Sequence, residues 1–437
     1  MPSDGELRPL RTLAEWLELQ DSVHPRSIDL SLERVTEVAT RLGVATPAFR
    51  VLTVGGTNGK GSVAAHAEAL LAAVGTRVGL FTSPHLVRYN ERIRVGGEEV
   101  SDAELIEAFE RIEAARAATT LTFFEYNTLA ALLVFAQRTV EVAVLEVGLG
   151  GRLDATNLVS ADVAVVVSVG LDHREYLGES LEAIGAEKAG IFRAGRPAVL
   201  GTADMPASVF ARIAALSARP LVAGRDFTFE VAGERWSYRG PGLALEDLAP
   251  PALAGSIQYR NAATALTAVA ALAAAAPRAA PLDRRAVNTA LGSVRLAGRF
   301  EIVPGPVEWI LDIAHNEPAA RVLAAHLEER PLPGVGAGRG RTIAVAGVLA
   351  DKDAAGIAAA LAPRIDHWIA CALPGARGGS AASLAERMQL RPGDYTLADS
   401  VQEGCARARA LARPGDRVVV LGSFHTVGPA LEWLRIY

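Results

Sequence analysis

A β-branched apolar run, a glycine-containing turn and an amphipathic stretch follow one another repeatedly along this chain. That rhythm restricts the fold more than any other feature. The runs 50–54 (RVLTV), 77–82 (RVGLFT), 140–147 (VEVAVLEV), 162–169 (DVAVVVSV) and 196–201 (RPAVLG) are almost continuously apolar. Strands of that kind are covered on both faces, as in a parallel sheet whose crossovers are right-handed helices. Residues 221–256 change character: FTFEVAGERWSYRG alternates as antiparallel strands do, and LAPPALAGS reads as loop. A strongly helical stretch starts at Asn261. Beyond LAGRFEIVPGPVEW the rhythm resumes at 309–314, 341–349, 367–373 and 417–423, and PLPGVGAGRG (331–340) reads as a surface loop. Two α/β units are expected, with a boundary near residue 298.

The 437 residues are 50% hydrophobic and 21% charged, enough for large packed cores and against wholesale disorder. A net charge of −5 carries no electrostatic footprint for nucleic acid, though it leaves room for a local basic pocket. Cys371 and Cys405 are too few for a disulfide framework and fit a reducing compartment. The N-terminus lacks the pattern of a signal peptide, and no apolar run reaches the roughly 18 residues of a membrane span. A soluble, cytoplasmic protein is expected.

The first strand runs into GGTNGKGS (55–62), followed by a helical stretch. A Walker A loop needs glycine five residues before the Gly-Lys pair, where this chain has Val54, and Gly61 separates Lys60 from Ser62. The physical parts of a phosphate loop are present nonetheless. Gly55, Gly56, Gly59 and Gly61 let successive N–H groups point at one anion, Ser62 opens a helix with its positive dipole end there, and Lys60 adds a charge.

Ligands of open parallel sheets gather beyond the carboxyl ends of the strands. Those ends offer Ser83 and His85 in TSPHL, Glu146 before GLGGRLDATN, Asp172 and His173 in GLDH, and Glu187 and Lys188 in EKAGIF. A carboxylate at an apolar strand end is costly unless paired, so Glu146 is read as holding Mg²⁺ beside nucleotide phosphates or as an ion pair with Arg152. Lys188, next to an acid and near a cationic site, faces phosphates, pairs with Glu187, or carries a charge-reversing modification. The second unit offers Asp312, His315 and Asn316 in LDIAHN, with Arg299 upstream. GSFHTVG (422–428) reads as a glycine turn rather than as a second phosphate loop.

In order, GGTNGKGS, TSPHLVRYNERIRV, TFFEYNTLAAL, LEVGLGGRLDATN, LDHREYLG, IGAEKAGIFR, RNAATAL, LAGRFEIV, LDIAHN, LADKD and VLGSFHTVG resemble the motifs of the folylpolyglutamate synthase family of Mur-ligase-like enzymes, over nearly the whole chain. RSIDLSLERV and TFFEYNT are most similar to the bacterial bifunctional members. The resemblance implies a P-loop-type, mostly parallel sheet domain over 1–297, binding ATP and folate, and a smaller Rossmann-like α/β domain over 298–437. It implies ATP contacts at Asn58, Gly59, Lys60, Gly61, Ser62, Asn261, Arg299, Asp312 and His315, and Mg²⁺, two ions in all, held by Ser83, Glu146 and His173. Pteroate contacts are implied at Asp29, Leu30 and Ser31, at Thr122, Phe123, Phe124 and Glu125, and at Leu153, Asp154 and Ala155, although Phe123 and Phe124 read equally as helix-face core. Lys60, Lys188 and His173 would be the catalytic set, with Lys188 carboxylated by CO₂ to a carbamate. The expected reaction joins L-glutamate to dihydropteroate, and to the glutamate tail of tetrahydrofolate, through an acyl phosphate made from ATP. GLDHREYLG departs from relatives that carry Thr-Asp after the histidine. Small molecules are the expected partners of a monomer, with no nucleic acid or membrane involved. The alternatives are a folylpolyglutamate synthase alone, a Mur-type ligase acting on a UDP-sugar peptide, or a nucleotide-binding switch without ligase chemistry.

Overall fold

A computed structural model describes residues 11–437 apart from 27, 275–280, 333, 336, 337 and 376. Ser27 and part of the 331–340 loop therefore lie outside the described residues.

The first sheet has eight strands: β1 (Arg50–Gly55), β2 (Val78–Phe81), β3 (Ile93–Val95), β4 (Glu98–Glu99), β5 (Val142–Glu146), β6 (Val163–Val166), β7 (Pro197–Leu200) and β8 (Arg219–Val222). Their order is β4-β3-β2-β5-β1-β6-β7-β8. Pairing is parallel from β2 to β8, and β3 and β4 add an antiparallel edge beside β2. The five expected strands are all here, and β1, β2, β5, β6 and β7 are buried almost throughout, as strands covered on both faces must be.

One face carries the helix Lys60–Ala73, which packs on Ile257–Ala274 and Arg284–Ser293. The alanines of Ile257–Ala274 let the helices approach closely: Ala262, Ala263, Ala265 and Ala268 are fully buried with Leu70 and Leu266. The antiparallel ribbon of β9 (Thr228–Ala232), β10 (Arg235–Gly240) and β11 (Leu243–Leu248) caps this core. Trp236 and Tyr238 point inward two residues apart, as strand alternation requires, and Tyr238 Oη lies 2.8 Å from Thr267 Oγ1. The opposite face is covered by Phe123–Gln137 and Asp102–Arg116.

The second sheet contains β12 (Glu301–Val303), β13 (Glu308–Asp312), β16 (Thr342–Ala346), β17 (His367–Cys371), β18 (Tyr395–Ala398) and β19 (Arg417–Leu421). The short strands β14 (Gly334–Val335) and β15 (Gly338–Arg339) pair separately with each other, where the sequence reads as loop. The sheet order β12-β13-β19-β16-β17-β18 is parallel except at the β12 edge. The connection 83–92 leaves the first sheet and packs on the second unit: Leu86 and Val87 join the cluster containing Val427 and Leu431. A Cβ on Gly428 would lie 2.2 Å from the Leu86 carbonyl, so glycine permits that approach. Among the described residues no helix is long and apolar enough to cross a membrane.

Candidate active site

The carboxyl ends of β1, β5 and β6 meet those of β13, β16 and β19 across one cleft, with a cavity of about 450 Å³. Every residue that the sequence marks for ATP, Mg²⁺ or pteroate lines it.

β1 feeds the glycine loop into the helix Lys60–Ala73. Gly59 occupies the helix N-cap at φ +86°, and a Cβ there would meet Val167 Cγ1 at 3.0 Å and Asn261 Oδ1 at 3.2 Å. Ser168 holds the loop on its other side: its Oγ accepts from Asn58 N (3.1 Å) and donates to Asn58 O (3.0 Å). Asn261 Oδ1 is buried and has no hydrogen-bond partner, an acceptor aimed at the loop.

Two lysines converge beneath the loop. Lys60 Nζ donates to the carbonyls of Gly56 (3.1 Å) and Thr57 (3.2 Å), and Lys188 Nζ donates to the same Gly56 carbonyl at 3.0 Å. Lys188 is 4% exposed, and burial, helped by the Lys60 charge, brings its ammonium down to about 7. Arg152 donates to Glu187 through Nε (3.0 Å) and Nη2 (2.8 Å). That pair removes two of the options open in the sequence: Glu187 is not the partner of Lys188, and Arg152 is not the partner of Glu146.

Glu146 ends β5 almost fully buried, and its Oε2 accepts from Ser83 N at 3.1 Å. Burial pushes its carboxyl up, against the pull of Lys60. His173 sits at φ +50°, a strained conformation for a residue with a side chain. Burial holds His173 at about 4, so its ring is neutral at pH 7. Among the described residues no group of three or more His, Cys, Asp or Glu could hold a metal ion. Ser83, Glu146 and His173 supply a hydroxyl, one carboxylate and one neutral imidazole. That donor set suits Mg²⁺ shared with phosphate oxygens and water rather than a closed protein cage.

A network between the two units surrounds Asp172. Lys352 Nζ approaches Asp172 Oδ1 at 2.6 Å, His315 Nε2 lies 3.4 Å from Oδ2, and Asn316 Nδ2 donates to Oδ2 at 2.9 Å. Burial pushes the Asp172 carboxyl up, but the His315 hydrogen bond and the nearby His173 and Lys352 outweigh it and leave it well below the ordinary range. Asn316 also caps the helix Glu317–Glu329 through Ala319 N (3.0 Å) and exchanges amide hydrogen bonds with Asn58 at 3.0 and 3.2 Å. Asp312 Oδ2 accepts from Phe300 N and its Oδ1 from Ala314 N, each at 2.8 Å, so its carboxylate shapes the turns around Arg299 and His315.

Phe123 and Phe124 stand at the other end of the cleft. They are half-buried against the core cluster and also line the cavity. Thr122 and Glu125 form a capping box for the helix Phe123–Gln137, with Thr122 N donating to Glu125 Oε2 at 2.7 Å. Glu125 Oε1 also accepts from Arg34 Nη2 at 3.2 Å, and Arg34 Nη1 lies 3.4 Å from Asp29 Oδ2. Asp154 binds its own loop, accepting from Leu149 N (2.8 Å) and Thr156 Oγ1 (2.6 Å). Asn316, one of the strand-end residues of LDIAHN, is brought into the Asp172 network, whereas Arg34, Arg92 and Lys352 are site residues that the sequence does not mark; Arg34 and Lys352 meet Glu125 and Asp172 from 91 and 180 residues away. Gly422, Ser423 and Phe424 line the cleft too, but Ser423 Oγ donates to Gly347 O (3.1 Å), as an ordinary turn hydroxyl does.

Residues 54–222 match the Mur ligase middle domain, and residues 298–424 match the Mur ligase, glutamate ligase domain. The chain is 43% identical to the dihydrofolate synthase/folylpolyglutamate synthase of Escherichia coli, over 96% of this chain and 95% of that protein. It is 38% identical to the Haemophilus influenzae protein of the same name, over 97% of each. The structure of E. coli FolC in complex with DHPP and ADP superposes with a TM-score of 0.90 at 42% identity, covering 98% of both chains. A bifunctional folylpolyglutamate synthase/dihydrofolate synthase solved with Mn, AMPPNP and L-glutamate superposes with a TM-score of 0.88 at 41% identity, covering 97% of this chain and 98% of that one. With its loop, strand tips and second sheet arranged in this way, the chain belongs to the folylpolyglutamate synthase family of Mur-type ATP-dependent ligases.

Proposed function

We propose that this enzyme joins L-glutamate to dihydropteroate, giving dihydrofolate, and to the glutamate tail of tetrahydrofolate. One observation carries the reading. A phosphate loop with its lysine, a buried strand-tip carboxylate and a pair of aromatic rings border a single cleft between two sheets. ATP lies along Asn58 to Ser62 and is reached by Asn261, Arg299, Asp312 and His315. The pterin lies against Phe124 and Ala155, with Asp29, Leu30, Ser31 and Leu153 around it, while Thr122, Glu125 and Asp154 hold the walls. The division at residue 298 separates the nucleotide-and-folate domain from the domain that completes the cleft.

A carboxylate is a poor electrophile, so it first takes the γ-phosphate of ATP, becoming an acyl phosphate and releasing ADP. The α-amino group of glutamate then attacks the acyl carbon, and phosphate leaves as the amide forms. Lys60 stabilises charge on the transferring group at its most crowded point. Ser83, Glu146 and His173 would hold Mg²⁺, which when bound neutralises phosphate charge. The two sheets enclose the cleft and keep water from the acyl phosphate. Lys188 serves as a carbamate, an anion that Lys60 favours. We place the protein in the cytoplasm as a monomer, in keeping with its two buried free cysteines.

Offering dihydropteroate and tetrahydrofolate separately, with ATP and glutamate, and weighing the products tests this reading. Products from both are expected. Product from tetrahydrofolate alone would indicate a folylpolyglutamate synthase only, and product from neither would overturn the assignment. Lys60→Ala is expected to lose glutamate-dependent ADP release by roughly 10³-fold, from lost charge stabilisation.

A further inference from the structure

Arg92 is 7% exposed, and among the described residues no carboxylate comes within ion-pair distance of it. Arg417, the other arginine that is buried among the described residues, is matched: its Nε meets Glu308 at 2.8 Å. A buried guanidinium without an anion is costly and needs a partner from elsewhere.

Its surroundings show where that partner comes from. Arg92 closes the connection 83–92, where its carbonyl accepts from Thr82 N at 2.9 Å beside the end of β2. Nε donates to His85 Nδ1 at 2.7 Å, which fixes the plane of the fork. The guanidinium carbon lies 5.4 Å from the centre of the Phe123 ring and 5.7 Å from that of Tyr89. Arg92 lines the cleft with Ser83, Glu146 and Phe123, near enough to Glu146 to feel its charge and set over the Phe123 ring. With the phosphates on the loop and the pterin on the rings, the group between them is the carboxylate to be activated.

We propose that Arg92 binds the reacting carboxylate of the folate substrate. Its fork grips the acid in the ground state and then the acyl oxygen on which negative charge grows when glutamate attacks. This rests on the folate reading of the cleft. It adds that the site demands an acid at that end of either substrate through Arg92.

The test compares binding of dihydropteroate and of the same dihydropterin–aniline compound lacking its carboxyl group, in the presence of a non-hydrolysable ATP analogue. Wild-type turnover of dihydropteroate is measured first, so a failed folate reading shows itself there. The wild-type enzyme is expected to prefer the acid by about 10- to 100-fold. Arg92→Met, which keeps an apolar stem against Phe123, should bind the two compounds alike with ATP-analogue affinity unchanged, and Arg92→Lys should recover part of the preference. A preference that survives in Arg92→Met overturns the proposal. So does an equal weakening of both compounds and the ATP analogue, which would mark Arg92 as structural.

Discussion

Lys188 offers the sharpest test of the chemistry. CO₂ adds to a neutral amine and not to an ammonium. An ordinary lysine at pH 7, with its reference value of 10.5, presents about one neutral amine in 3,000. Burial and the Lys60 charge bring Lys188 to about 7, so about half of it is neutral at that pH. The gain in reactive amine is therefore about 10³-fold, and the neighbour that repels a second ammonium attracts a carbamate anion. The sign follows: carbamylation rises as pH climbs through 7 and is lost below it, as the amine takes up its proton. Dihydrofolate formation should be measured with enzyme held at pH 6 to 8 in CO₂-depleted buffer, then with bicarbonate restored. Depletion should cost roughly tenfold or more, in line with the share of catalysis one positioned group supplies, and bicarbonate should restore it. The intact protein should gain the mass of one CO₂, and Lys188→Ala should be inactive yet recover partly with a short carboxylic acid. Full activity of Lys188→Ala, or of the depleted enzyme across this pH range, would refute the reasoning.

Three further outcomes are expected. Gly59→Ala forces a side chain into φ +86° and against Val167, so stability should fall by about 1–2 kcal/mol and ATP-analogue binding should weaken, read by denaturant melts and calorimetry. Asp172→Asn breaks the pairing with Lys352 and should cost about 3–5 kcal/mol at pH 7. Because the Asp172 carboxyl is held below its ordinary 3.8, its contribution is complete above that value and is lost only as pH falls beneath it. The melting-temperature gap to wild type should therefore hold at neutral pH and narrow only in strong acid. Arg34→Met leaves Glu125 without its cation and should raise KM for dihydropteroate by about tenfold, the weight of one charged hydrogen bond, with KM for ATP unchanged.

The parallel sheets were legible because runs such as VEVAVLEV have no wet face, and strand-tip residues follow from the βα rhythm. β8 was not: it opens Arg219-Pro220, and a proline is tolerated there only because β8 is an edge strand. β18 is four residues long with only Ala398 buried, too little apolar pattern to stand out. Thr122 and Glu125 carry a T-x-x-E capping signature that the reading of the sequence passed over, and they line the cleft as well. Asp172, His315 and Asn316 stood out as strand-end residues, but their pairing was illegible, because Lys352 and Asn316 reach Asp172 from 180 and 144 residues away and no local spacing encodes such a meeting.

Asn316 shows how little chemical freedom such a junction leaves. One amide starts a helix, grips the glycine loop and steadies Asp172. Aspartate could start the helix equally well, but it would set a second anion beside Asp172 and lose the donor that Asn58 receives. Serine could start it too, but is too short to reach the far strand tips. The position is bound to a neutral group that gives and takes at once, and the junction between the two units inherits that narrowness.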